Sequence, residues 1–214
     1  MSLVGKKFPN LNVNAMNDMG DTFKVNVLEE AVNNKKKVLL FWYPKDFTFV
    51  CPTELHAFQA ALGEFEKRNT IVIGASCDTA EVHFAWLNTA KDIGGIEGVT
   101  YSILADSNRN LASTLGILDI SDEHYNEETG VITVEGDNVT YRATYIIDEE
   151  GIVQHEGINN MPIGRNVSEF LRIIDALTHV QERGEVCPAN WEEGKEAMKA
   201  DRNSTAEYLA TLVN

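Results

Sequence analysis

The chain has 214 residues, 43% of them hydrophobic, enough to bury a sizeable core as one domain or as a domain with an extension. Its 18 Lys and Arg stand against 33 Asp and Glu, a formal charge of −15, which argues against nucleic acid and anionic membrane surfaces because phosphates are gripped by clustered cations. No apolar run approaches bilayer length and the N-terminal MSLVGKKFPN has no signal-type apolar stretch, so the expected compartment is the cytoplasm, where three cysteines read as reactive groups rather than a disulfide frame.

In chain order, KKVLLFWYP (36 to 44) predicts a strand buried on both faces. Leu55, Phe58, Leu62 and Phe65 then recur at helical spacing over 52 to about 67, which puts Cys51 at a strand-loop-helix joint. TIVIGAS (70 to 76) reads as a strand and AEVHFAWLNTAKDI (80 to 93) as a helix, with GGIEG (94 to 98) as its stop. YSILAD (101 to 106) is a further strand and NRNLASTLGI (108 to 117) a short helix. This alternation implies α/β layering around a sheet with parallel strands. The β-rich runs broken at Gly136-Asp137-Asn138 and Glu149-Glu150-Gly151 read as hairpins, so the sheet is expected to be mixed. The acidic stretch 119 to 138 is expected to be a solvated loop. Val167, Phe170, Leu171, Ile174 and Leu177 define one face of a helix over 165 to 180. Gly184 is a stop, and the polar remainder with a few aromatic anchors reads as an arm. The expected organisation is a domain over 1–180 and an arm over 181–214.

Val-Cys-Pro occurs twice, at 50 to 52 and 186 to 188, whereas Cys77 is followed by Asp78. Proline is favoured at the first position of a helix, so Pro52 sets Cys51 at or beside an N-cap, where free N–H groups favour a thiolate by about 0.3–1 kcal/mol. A thiolate is the nucleophilic form of cysteine, but one helix end is a weak activator, so a nearby cation is wanted. Thr48, three residues ahead of the sulfur, offers a hydroxyl to a substrate oxygen, and Pro44 and Pro52 stiffen the backbone on either side.

The stretches FWYPKDFTFVCPTE (41 to 54), HFAWLNT (83 to 89), NNMPIGRNVSEFLRIIDAL (159 to 177) and GEVCPANW (184 to 191) resemble the typical 2-Cys peroxiredoxins, including the alkyl hydroperoxide reductase C subunits. The resemblance runs from the first predicted strand to Trp191. It implies a thioredoxin-like fold and a cofactor-free peroxidase. Cys51 matches the family's peroxidatic cysteine and Cys187 its resolving cysteine. Thr48 matches the hydroxyl that binds peroxide, Pro44 the proline that shields the thiolate, and Arg142 the catalytic arginine. Glu54 matches the carboxylate that orients this arginine, Arg165 a second arginine near the site, and Tyr43 stands as a supporting residue.

The residues alone leave open whether Cys187 comes from the same chain or a partner. The resemblance implies a partner, hence a homodimer, commonly five dimers in a ring. It also implies a peroxide substrate and a protein electron donor, either a thioredoxin or a flavoprotein disulfide reductase. A ring-forming redox chaperone or a redox relay is the alternative, with the same site. Thioredoxin-type exchange lacks its Cys-x-x-Cys, and the five histidines show no metal-ligand spacing. Cys77 reads as a packed thiol at a strand end.

Overall fold

The apolar run becomes β3 (Lys37–Trp42), and all six of its residues are buried. Even Lys37 is enclosed, its Nζ donating to Glu149 at 2.8 Å. β3 lies inside the sheet of the computed structural model, which describes residues 2–120 and 122–212. Ser121 of the acidic stretch and the last two residues of the expected arm fall outside that description.

The other strands of this sheet are β1 (Asn12–Met16), β2 (Thr22–Asn26), β4 (Thr70–Ser76), β5 (Ile103–Ala105), β8 (Arg142–Ile147) and β9 (Val153–Asn159). A separate antiparallel pair is formed by β6 (Asp122–Asn126) and β7 (Val131–Glu135). The seven-stranded order is β2-β1-β5-β4-β3-β8-β9. β3, β4 and β5 are parallel, with Leu40 opposite Ile73, while β8 runs antiparallel to β3 and sets Tyr145 opposite Leu40. Helices α1 (Val27–Asn34), α3 (Leu62–Lys67) and α4 (Ala80–Leu87) pack on the sheet. This is the expected mixed, helix-flanked sheet of the thioredoxin-like class.

Several elements differ from their expected extents for local reasons. The helix expected from 52 divides at Ala61 into α2 (Cys51–Ala60) and α3, because Ala61 has ψ near 0 (1°) and its N–H is shared between the Ala57 and Phe58 carbonyls. α4 stops at Leu87 because Asn88 and Thr89 turn their side chains back onto the carbonyls of Phe84 and Ala85, at 2.8 Å each. Lys91–Ile93 then forms only a 3₁₀ turn. The Gly136-Asp137-Asn138 break joins no hairpin, since β7 pairs with β6. Instead Asp119 exchanges backbone hydrogen bonds with Asn138 and Val139. Gly136 has φ +102, and a Cβ there would lie 2.4 Å from the Asp119 carbonyl oxygen, so only glycine fits. The acidic stretch is therefore largely an exposed hairpin rather than a loop.

Backbone contacts divide the chain into two units, Met1–Arg165 and Asn166–Asn214. The second begins with α6 (Val167–Arg183), capped at its start by the Asn166 side chain on Ser168 N–H and ended by Gly184 in the left-handed conformation, φ +64. The following segment carries Cys187, a Val186–Met198 bridge and the buried Trp191, then α7 (Arg202–Thr211), capped by Asp201. In the first unit, α5 (Asn110–Leu115) follows β5, and the loops leaving the C-terminal ends of the parallel strands carry the chemistry described next.

Candidate active site

Cys51 is the first residue of α2 and is fully buried. Val50 is the N-cap, with no side-chain cap bond, and Pro52 follows, as a helix start tolerates. The N–H groups of Thr53 and Glu54 bond the Val50 carbonyl at 3.1 and 3.3 Å. The hydrogen bond to the sulfur comes instead from Arg142, at the start of β8, whose Nη1 lies 3.3 Å from Cys51 Sγ. The cation wanted beside the cysteine thus arrives from 91 residues away in sequence.

Arg142 is itself fixed on two sides. Its Nη1 donates to Glu54 Oε2 and its Nε to the Met161 carbonyl, both at 2.6 Å. Glu54, one turn along α2 and 4% exposed, also receives Arg165: Nε reaches Oε1 and Nη2 reaches Oε2, each at 2.9 Å, and the Arg165 backbone N–H reaches Oε1 at 3.0 Å. The Arg165 Nη1 donates onward to the Ala143 carbonyl and Thr144 Oγ1, and its guanidinium lies over the rings of Phe41 and Phe58 at 5.1 and 5.8 Å. Burial pushes Arg165 down from its ordinary range, and the Glu54 carboxylate opposes this. Two guanidinium charges against one buried carboxylate leave one positive charge uncompensated beside the sulfur. A thiolate would balance it.

A pocket of about 540 Å³ opens onto Cys51 and Arg142. Three loop segments line it: Pro44, Lys45, Thr48, Phe49 and Val50 before α2; Asp137 and Val139; Met161 and Pro162. Pro44 is buried, and Thr48 is half-buried with its hydroxyl donating to the Lys45 carbonyl at 2.8 Å. Of the residues expected at the site, Cys51, Pro44, Thr48 and Arg142 share this pocket, with Glu54 and Arg165 behind it. Tyr43 does not line it. Its hydroxyl donates to Asp46 Oδ1 at 2.8 Å and lies 3.5 Å from His83 Nδ1, in a buried cluster that sequence reasoning missed. The signal was present in the PKDFT and HFAW stretches, but nothing in the order of residues says that Asp46 and His83 meet.

Cys187 belongs to the second unit. It is half-buried, its thiol donating to the Ala176 carbonyl at 3.7 Å, and burial pushes it up while Arg172 opposes the shift. Cys77 directly follows β4 and is buried beside Asp106 and Asp78. Burial first, then the Asp106 charge, pushes its thiol up to about 12.

The AhpC/TSA family model matches residues 4–156, and the model for the C-terminal domain of 1-Cys peroxiredoxin matches residues 176–211, a stretch that here contains Cys187. Alkyl hydroperoxide reductase C of Buchnera aphidicola subsp. Baizongia pistaciae is 39% identical, over 99% of this chain and 98% of its own. The Helicobacter pylori protein of the same name (strain ATCC 700392 / 26695) is 42% identical over 82% of this chain and 80% of its own. Among solved structures, the reduced 2-Cys peroxiredoxin of Plasmodium vivax superposes with a TM-score of 0.87 at 38% identity, covering 98% of this chain and all of that one.

Proposed function

The chain belongs to the AhpC/TSA family of peroxiredoxins, and on that footing we propose how its residues divide the work of a thiol-dependent peroxidase. The observation that carries the assignment is Arg142 Nη1 at 3.3 Å from the fully buried Cys51 sulfur, fixed there by Glu54.

The Cys51 thiolate attacks the terminal oxygen of a peroxide. An S–O bond forms, the O–O bond breaks, the sulfur loses two electrons and the departing oxygen leaves as alkoxide or hydroxide, taking a proton to become alcohol or water. Arg142 supplies a hydrogen bond that carries its developing charge, and the Thr48 hydroxyl supplies another once it turns from the Lys45 carbonyl. Pro44 and Val139 exclude water around the sulfur. The resulting Cys51 sulfenic acid condenses with the Cys187 thiol, forming an S–S bond and releasing water. Cys187 is supplied by the partner subunit of a homodimer, with five dimers to a ring. A thioredoxin or a flavoprotein disulfide reductase returns the two electrons. The unit through Arg165 carries the peroxidatic site and the unit from Asn166 the resolving cysteine.

No helix among the described residues is long and apolar enough to cross a membrane, and the three cysteines are unbridged. An odd number of cysteines makes no framework of paired disulfides, which fits a reducing compartment, and we propose the cytoplasm. The test is one equivalent of hydrogen peroxide added to fully reduced protein, run on non-reducing gels beside Cys51→Ser and Cys187→Ser. A covalent dimer in wild type alone is expected. A monomer that keeps its free thiols would overturn the assignment and favour a redox chaperone.

A further inference from the structure

The loop between β3 and α2 is held in a conformation it would not adopt by itself. Phe47 has φ +54, in the left-handed region that bulky aromatic residues rarely enter. Such strain persists only where the surroundings over-determine it.

Helix α4 supplies those surroundings. Its buried face presents His83 and Trp86 one turn apart. Trp86 packs against Phe47, with ring centroids 5.8 Å apart, and against Tyr43 at 5.9 Å. His83 Nε2 lies 3.1 Å from the Leu104 carbonyl and Nδ1 lies 2.7 Å from Asp46 Oδ2. A carbonyl oxygen only accepts, so Nε2 carries a proton. The short Nδ1 contact then holds a second proton, on the ring or on the carboxyl, and is a strong hydrogen bond either way. Burial pushes the Asp46 carboxyl up, and His83 opposes this.

Asp46 ties the loop to three elements. Its carboxylate receives the Tyr43 hydroxyl at the end of β3 and meets His83 on α4, while its backbone N–H donates to Asp78 Oδ2 beyond β4 at 2.9 Å. Asp78 is held in turn by the Ser76 hydroxyl at 2.7 Å. None of these side chains lines the Cys51 pocket, yet Pro44 and Thr48, which do, stand two residues to either side of Asp46.

We propose that His83 is a positioning residue of the peroxidase reaction: with Asp46 it latches the strained 44–50 loop, keeping Pro44 and Thr48 in the pocket wall, and its release lets the loop open for disulfide formation. The proposal rests on Cys51 being the attacking sulfur. Because that sulfur is fully buried, joining it to another sulfur requires this loop and the first turn of α2 to move. Oxidation needs the latch closed, and resolution needs it open. Removing the latch should therefore slow the first step and speed the second.

Reduced protein is mixed rapidly with hydrogen peroxide, quenched, and read by mass spectrometry for Cys51 sulfenic acid and for the disulfide. His83→Phe, and independently Asp46→Ala on the loop side, are expected to slow the peroxide-dependent step about tenfold. Each should speed disulfide formation severalfold, and the double variant should fall well short of the sum of the singles, since both break the shared Asp46–His83 hydrogen bond. A merely structural role would not be specific to this pair: a substitution of equal cost in urea denaturation, remote from the 44–50 loop, should leave both steps near the wild-type rates. Wild-type rates in both folded variants, parallel slowing of both steps, or additive effects in the double variant would each overturn the proposal. Failure of the underlying assignment shows separately, as wild type forming no Cys51 sulfenic acid at all.

Discussion

Cys51 and Cys77 follow neighbouring parallel strands, β3 and β4, and both are buried, yet they face opposite charge. Cys51 receives a hydrogen bond from Arg142, whose environment holds two guanidinium groups and a single carboxylate. Cys77 lies beside Asp106 and Asp78, which Arg109 only partly offsets, and its thiol is pushed up to about 12. Burial alone makes a cysteine inert, because it disfavours the charged form. The two buried sulfurs differ in the sign of the charge packed against them.

The comparison breaks most severely at Glu54. Replacing it with alanine leaves Arg142 and Arg165 buried without their shared carboxylate, and removing one partner of a buried ion pair costs about 3–5 kcal/mol. Urea denaturation of Glu54→Ala should show a loss of that size, together with loss of peroxidase activity. A stable and active variant would mean that the two guanidinium groups need no common anchor.

Arg142→Gln attacks the charge directly and leaves Glu54 paired with Arg165. The expected fall in the rate constant for hydrogen peroxide is about 10²–10³-fold, the size of losing one preorganised donor to a developing oxyanion. Arg142→Lys should recover only part of it, because Arg142 uses Nε for Met161 and Nη1 for both the sulfur and Glu54, a fork that a single ammonium does not reproduce. Competition for peroxide against a second peroxidase measures both rates, and full activity in the lysine variant would reduce the arginine to a point charge.

Reading the site from the chain succeeds where chemistry is local and fails where the sheet creates it. Pro52, Thr48 and Glu54 lie within a few residues of Cys51, so one short stretch displays them together. Arg142 is different: thiolate chemistry requires a cation without choosing among 18 lysines and arginines, and only the family pattern singles one out. The Asp46–His83 latch was illegible because its members, 37 residues apart, look like ordinary surface polar residues until β3, β4 and β5 stack their loops side by side. The same holds for the fold. β3 and β4 were readable as continuous apolar runs, and α6 by its periodicity. The β1–β2 hairpin was hidden by alternate asparagines that face solvent while Val13 and Ala15 face the core. α7 carries no buried residue to announce it and is set by a local cap at Asp201.

The smallest effect tests the silent half of the comparison. The folded chain keeps the Cys77 proton up to about pH 12, whereas the unfolded chain releases it near 9. Between those values the unfolded state binds fewer protons, so this group's contribution makes stability fall as pH rises, by about 1.4 kcal/mol per pH unit. Below that window it contributes no slope. Serine does not titrate there, so Cys77→Ser should lose stability less steeply than wild type when urea denaturation is compared at about pH 8 and about pH 10, and wild-type stability relative to the variant should fall only on the alkaline side. At neutral pH the same variant should turn over peroxide at the wild-type rate, because no step of the reaction uses that sulfur. A variant with parallel stability but lost turnover would reverse both expectations and give Cys77 a share in the redox chemistry, its acidic neighbours notwithstanding.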